Sequence, residues 1–352
     1  MNTLSTTPLK SYTSLAVGGP AEQLYICTSG EELHTAFNQT AGKQLWVLGY
    51  GANVLVSDAG LPGTTILLRA GTITQADNGL VIADAGVWWD DLVQYAINEG
   101  LWGLELMSAI PGGVGAAVVG NIAAYGQAVA DTLAWVEVFD TAAQAARQIA
   151  VGELGLSYRF SDFQTEKLAG LVILRAAFAL KPTPTQDLVY RSALDVAEER
   201  NHDIHTLDGR RQAILETRRR AGSLWDYRGP ETQMHTAGSF FRNPLVSTET
   251  AEQLMAYDET GKSLELLKKM NQVHGGNQKR VSAAHVLLAA GFQRGQAWGP
   301  VRLHPDHILK IENTGGATAQ AIYDVAQEII ATVKSKLDID LTPEVRFLGE
   351  FK

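Results

Sequence analysis

The stretch 108–126, Ser-Ala-Ile-Pro-Gly-Gly-Val-Gly-Ala-Ala-Val-Val-Gly-Asn-Ile-Ala-Ala-Tyr-Gly, restricts what this chain can fold into more than any other. It holds Gly112, Gly113, Gly115, Gly120 and Gly126, and no Lys, Arg, Asp or Glu. A solvated loop carries charge, and a core helix loses about 0.5–1 kcal/mol for each glycine relative to alanine. Glycine belongs where φ is positive or where another group must approach the backbone closely. Backbone N–H groups bared in this way bind phosphate. The stretch therefore reads as a buried wall against a phosphate-bearing cofactor, or as a glycine-rich turn pair in a sheet domain, and not as a core helix.

The chain has 352 residues, enough for two domains of about 150 each. Its 45% hydrophobic content supplies a sizeable core. A net charge of −9 argues against general nucleic-acid binding and against anionic membrane surfaces. Arg218-Arg219-Arg220 is a local exception. Cys27 is the only cysteine, so an internal disulfide and a thiolate metal site are excluded, and it reads as a small buried hydrophobe. Residues 1–8 are polar and lack the apolar segment of a signal peptide. No apolar run reaches the ~18 residues of a membrane span, so a cytoplasmic protein is expected.

Apolar periodicity predicts many short strands with a few helices, an α+β arrangement. Strands are expected at 22–26, 44–48, 64–69, 79–84, 133–139, 171–180 and 307–311. Helices are expected at 31–39, 88–99, 206–221, 247–257, 282–290 and 316–336, with Ser247 as an N-cap. Residues 181–185 read as a linker, 195–208 as a polar stretch and 258–280 as loop-rich. The strand at 44–48 runs into Gly49-Tyr50-Gly51, a weak nucleotide-loop signal that lacks the third glycine and helix of a dinucleotide fingerprint.

Few motifs can carry chemistry. Ser239, in Gly238-Ser239-Phe240-Phe241-Arg242-Asn243-Pro244, is a satisfied core hydroxyl or a proton donor. It is not a hydrolase nucleophile, because Gly-x-Ser-x-Gly is absent. Glu344 pairs with Arg346 or does acid chemistry. Arg159 is a surface arginine or a clamp on carboxylate or phosphate, which its planar fork suits. His202/His205 and His304/His307 share metal-like spacing without a third ligand, so no metal is expected. Trp88-Trp89 reads as packing rather than a stacking platform.

In order along the chain, Gly49–Leu55, Ile110–Gly115, Asn121–Gly126, Tyr158–Ser161, Ala237–Pro244 and Pro343–Arg346 together resemble the UDP-N-acetylenolpyruvoylglucosamine reductase family. Each motif is weak, but six in order across nearly the whole chain are specific. Leu188-Val189-Tyr190 and the long segment after it look like the family branch with a substrate-covering tyrosine loop. The resemblance implies a two-part FAD-binding domain of the vanillyl-alcohol-oxidase (PCMH) type at 15–183. A linker and tyrosine-loop region at 184–236 follows, then an α+β substrate-binding domain at 237–352 whose last strand returns to the active site.

The implied reaction is reduction of UDP-N-acetylglucosamine enolpyruvate to UDP-N-acetylmuramate, with NADPH as reductant and FAD as bound cofactor, in peptidoglycan precursor synthesis. The implied catalytic residues are Arg159, Ser239 and Glu344. Arg159 stabilises charge on the substrate carboxylate, Glu344 stands near the same group, and Ser239 donates the proton. The resemblance puts FAD on Gly49, Tyr50, Gly51, Ala52, Asn53, Val54 and Leu55. It adds Pro111, Gly112, Gly113, Gly115, Asn121, Ile122, Ala124, Tyr125 and Gly126. Substrate falls to Tyr190, Arg218, Arg220, Phe240 and Asn243. A monomer without nucleic-acid or membrane partners is implied.

The sequence departs from the family at Ala52, where serine is common, at Ala123, where glycine is common, and at Arg191. The family lysine aligns with Ala221, so Arg219 or Arg220 is left to replace its charge. Two other readings stand beside this one. A flavin oxidase of a sugar or alcohol would use the same cofactor fold, but such enzymes often tether FAD through His or Cys, and 49–60 and 108–126 contain neither. A non-catalytic flavin or nucleotide-sugar binder is the other.

Overall fold

A computed structural model describes residues 2–40, 42–69, 71–228, 235–257 and 278–352. Of the stretch read as loop-rich, 258–277 lies outside the described residues. The chain groups into two compact units: residues 1–12, 20–52 and 60–234 form the first, and 13–19, 53–59 and 235–352 the second.

The first unit holds two sheets. Strands β1 (Asn2–Pro8), β2 (Pro20–Cys27), β3 (Leu45–Leu48) and β5 (Leu61–Leu68) make a sheet in the order β1-β2-β5-β3, with β2, β5 and β3 parallel. A second, antiparallel sheet runs β11-β10-β12-β7-β6, from β6 (Ile73–Gln75), β7 (Val81–Asp84), β10 (Leu133–Asp140), β11 (Ala145–Ala150) and β12 (Leu171–Phe178). Helices α1 (Gly30–Thr40) and α2 (Trp89–Asn98) pack apolar stripes onto one shared core, in which Trp89 and Phe178 are fully buried. Trp88 is buried too, against Tyr50 and Tyr227. Cys27 lies in this core, where burial pushes its thiol up to about 11.

One expectation is corrected. The glycine stretch contains a helix, α3 (Val114–Gly120). Two of its glycines count against helix propensity, yet Gly115 is needed: a Cβ there would lie 2.8 Å from the Ala85 Cβ. The Gly115 N–H donates to Ala85 O at 3.0 Å, so the helix backbone lies directly on the end of β7. Tertiary closeness outweighs propensity here.

Several further elements escaped the sequence pattern, among them the short strands β6, β11 and β16 (Val301–His304). Strand β1 is a polar edge strand held by backbone pairing to β2. Helix α4 (Arg191–Arg200), in the stretch read as polar, buries only Ala193, Val196 and Ala197, too thin a stripe for a clear periodic signal. It packs against α5 (Leu207–Arg220), and both helices group with the first unit.

Helix α5 straps the glycine stretch. Arg210 donates to buried Glu105 at 3.0 Å, and Glu105 in turn accepts the Gly103 N–H at 2.9 Å. Arg211 makes two 2.7 Å bonds to Asp90, which also accepts the Ala109 N–H at 2.6 Å. The Asp90 bond meets Ala109 in its left-handed conformation (φ +57°).

The second unit pairs β4 (Val54–Val56) in parallel with the returning strand β18 (Arg346–Leu348). It adds the hairpin of β16 (Val301–His304) and β17 (His307–Asn313) and the long helix α8 (Ala319–Leu337), whose Ile322, Ala326, Ile329 and Val333 fill its core. Asp58 accepts the Ala319 and Gln320 N–H groups at 2.9 Å, capping α8. Burial pushes the His307 imidazole down to about 4, and the charge of Lys310 adds to the effect.

Three outcomes are expected. Gly115→Ala loses about 1–3 kcal/mol in urea unfolding through overpacking, whereas Gly152→Ala, with nothing within 4 Å of the added Cβ, stays within ~0.5 kcal/mol. Arg210→Met leaves Glu105 a buried unpaired charge and costs about 3–5 kcal/mol, and a second change, Glu105→Gln, recovers part of it. His307 is neutral when folded and takes up a proton more readily when unfolded. Its contribution is therefore full above pH 6.5 and is lost as pH falls toward about 4. The unfolding midpoint should drop across that window, and less steeply in His307→Gln.

Candidate active site

Within the first unit, the C-terminal end of α3 positions Arg159. Ser161 Oγ and Gln164 Nε2 both donate to Val119 O, at 2.7 and 2.8 Å. Asn121, left-handed at φ +39°, ends the helix and donates to Ser157 O at 2.7 Å. The 157–160 turn closes with two 3.1 Å backbone bonds and holds Arg159 at φ +53°. An arginine in that conformation is strained, and such outliers persist where the surrounding bonds over-determine them.

The hairpin at 123–128 turns through Tyr125 (φ +49°) and Gly126 (φ +96°), both in the left-handed region that a tight hairpin requires. The Tyr125 ring meets the edge of Tyr190 at 5.5 Å. Burial raises the Tyr125 phenol above its ordinary value, opposed by the charge of Arg218 and by a hydrogen bond to it. Burial likewise raises Tyr190; Tyr158 adds to the shift and Arg159 opposes it. Burial lowers the Arg218 guanidinium; Tyr125 and Asp90 counter this, and nearby Arg159 adds to it. Arg218 donates to Ser223 O at 2.9 Å, while its buried Nε has no partner among the described residues. The structure thus gathers Tyr125, Tyr158, Arg159, Tyr190 and Arg218.

It does not gather Arg219 or Arg220 with them. Arg220 binds Glu199 at 2.8 Å and Glu216 at 3.2 Å, and Arg219 binds Glu216. Ala221 is the C-cap of α5.

Within the second unit, residues 240–242 lie antiparallel to 342–344. Glu344 N–H donates to Phe240 O at 2.8 Å, and Arg242 N–H to Thr342 O at 2.9 Å. This register sets Phe240 opposite Glu344, with Ser239 one position along the same segment. No described residue hydrogen-bonds the half-buried Ser239 hydroxyl. Asn53 brackets the same segment: its Nδ2 donates to Glu344 O and its own carbonyl accepts Arg346 N–H, both at 3.1 Å. Arg242 and Arg346 lie close, and burial followed by this repulsion lowers the Arg346 guanidinium.

Two residues expected on substrate have other work. Phe240 is fully buried among Phe241 and Phe347, and its backbone N–H and carbonyl are taken by Leu309 O and the Glu344 N–H. The Asn243 side chain accepts the Ala283 N–H at 2.9 Å and its carbonyl accepts Arg280 at 2.7 Å. Leu55, expected on the cofactor, has its side chain in the second core. The strap residues Asp90, Glu105, Arg210 and Arg211 were not singled out in the sequence. They are ordinary charged positions, and only their long-range partners mark them.

The residues present fit FAD. Gly49 and Gly113 face each other across two uncharged backbone segments: a Cβ on Gly49 would lie 3.5 Å from the Ala116 Cβ, and one on Gly113 3.3 Å from the Tyr50 ring. At Gly112 (φ +135°) an added Cβ would meet nothing within 4 Å, so the backbone there borders open space. Close backbone packing beside an open, uncharged face suits a flat ring system and a diphosphate. Among the described residues no group of three or more His, Cys, Asp or Glu could hold a metal ion, and no helix is long and apolar enough to cross a membrane.

Comparison with known proteins agrees with this geometry. The model of an FAD binding domain matches residues 21–146. That of the UDP-N-acetylenolpyruvoylglucosamine reductase C-terminal domain matches 230–348. The UDP-N-acetylenolpyruvoylglucosamine reductase of Thermobifida fusca is 33% identical over 359 residues, covering 97% of each chain. That of a Mycobacterium species is 33% identical and covers 97% of this chain and 95% of its own. The solved structure of the Thermus caldophilus reductase aligns with a TM-score of 0.61 at 26% identity, covering 99% of this chain and 98% of that one. These matches favour the reductase over the oxidase and the non-catalytic binder. The chain belongs to the UDP-N-acetylenolpyruvoylglucosamine reductase family of FAD-dependent oxidoreductases.

Proposed function

We propose how this enzyme divides its reaction, the NADPH-dependent reduction of UDP-N-acetylglucosamine enolpyruvate to UDP-N-acetylmuramate, among its own residues. FAD, when bound, supplies the hydride chemistry. Gly49–Asn53 and Pro111–Gly115 hold it through backbone groups, and Asn121, Ile122, Ala124, Tyr125 and Gly126 shape the wall beyond.

Hydride addition to the enolpyruvyl double bond builds negative charge on the conjugated carboxylate. Arg159 stabilises that charge, and its constrained turn fixes the backbone from which the guanidinium extends. Glu344 is assigned to acid chemistry on the substrate by its place in the family motif Pro343–Arg346. Ser239 delivers the proton to the α-carbon. The observation that carries this assignment is the Phe240–Glu344 backbone bond of 2.8 Å, which pairs the segment of Ser239 with that of Glu344.

Tyr190 and Arg218 contact the anionic part of the substrate. Arg218, one helical turn before Ala221, supplies the charge that the aligned family lysine would bring. Arg219 and Arg220 are engaged by Glu199 and Glu216 and are left out. We take the enzyme to act as a cytoplasmic monomer without nucleic-acid partners, a reading supported by its net charge of −9.

Ser239→Ala should slow the substrate half-reaction by about 100-fold or more and leave the NADPH half-reaction at its native rate. Anaerobic stopped-flow separates the two: loss of flavin absorbance on adding NADPH, then its return on adding UDP-N-acetylglucosamine enolpyruvate. Equal slowing of both phases would remove Ser239 from proton donation.

A further inference from the structure

Arg69 follows β5, at the same edge of the parallel sheet as Gly49-Tyr50-Gly51, which follows β3. In open sheets, ligands bind at the carboxyl ends of parallel strands. The Arg69 guanidinium lies over the Tyr50 ring, 4.4 Å from its centroid. Its Nη1 donates to Gly49 O and to Leu68 O. Its Nε and Nη2 have no partner among the described residues, and no described carboxylate pairs with it. Arg210 and Arg211 differ, each facing a carboxylate. Burial lowers the Arg69 guanidinium, and the groups bearing on it are the phenols of Tyr50, Tyr227 and Tyr12. A cation set against a ring and two carbonyls, and left without an anion, is an incomplete site.

We propose that Arg69 completes its charge pairing with the diphosphate of FAD, joining the uncharged glycine backbone as the one side-chain cation at that group. The inference rests on the FAD reading above. A planar guanidinium suits the role because its two free nitrogen positions present parallel donors to phosphate oxygens, and because it can stack on Tyr50 while doing so. The glycine turn gives neutral N–H groups. Arg69 gives the net charge.

The test compares flavins with and without a diphosphate on the full-length chain stripped of cofactor. FAD and riboflavin are titrated by fluorescence quenching into the native chain, Arg69→Met and Arg69→Lys, after thermal melts establish that each is folded. The expected result is that Arg69→Met weakens FAD by about 10- to 100-fold. Riboflavin affinity should be unchanged, and Arg69→Lys should recover part of the FAD affinity. The native FAD dissociation constant should also rise more steeply with salt than that of Arg69→Met. Equal weakening of both flavins would overturn the proposal in favour of a role in shaping the Tyr50 turn. Unchanged FAD affinity in Arg69→Met would overturn it outright. A native chain that takes up no FAD would instead remove the cofactor reading on which it rests.

Discussion

The contact between Gly115 and Ala85 organises the first unit. A helix backbone can approach a strand end this closely only where it carries no Cβ. Because α3 sits there, the Val119 carbonyl near its end is placed to receive both Ser161 and Gln164, and its left-handed cap, Asn121, reaches Ser157. The constrained turn of Arg159 follows from those bonds. One missing methyl group thus connects a packing constraint to the orientation of the residue proposed to stabilise developing charge.

The charges around this wall fall into two kinds. Glu105 with Arg210 and Asp90 with Arg211 are mutually compensated and fix α5 against the glycine stretch. A buried pair of this kind is a weak source of stability against an apolar alternative, but it specifies one arrangement, since either partner alone is costly. Arg159 and Arg218 are instead close to each other and to three tyrosines. Like charges held in proximity favour an anion, which is the character of the substrate.

The second unit solves a different problem with the same economy of means. The returning strand β18 pairs with β4, and the segment before it pairs with 240–242. Segments about a hundred positions apart, those of Ser239 and Glu344, are paired through the Phe240–Glu344 backbone bond, so the pairing does not depend on the Ser239 and Glu344 side chains. Asn53 joins the same arrangement from far earlier in the chain.

Much of this was legible in the residues. Strong periodicity marked α2 and the long helix α8, alternation and apolar runs marked the central strands, and six short motifs in order marked the family and its cofactor. Propensity misjudged α3, because the reason for Gly115 lies in Ala85, thirty positions away in sequence and adjacent in space. Composition could not show α4 or β1, whose apolar content is slight and whose pairing is supplied by neighbours. Nor could it separate Arg218 from Arg219 and Arg220: three consecutive arginines on a helix point in different directions, and only Glu199, Glu216 and Tyr125 decide which of them turns inward. Sequence alone determined the class of fold and the chemistry the residues can perform. Tertiary structure decided which of several identical side chains performs it, because burial and partnership are properties of position in space.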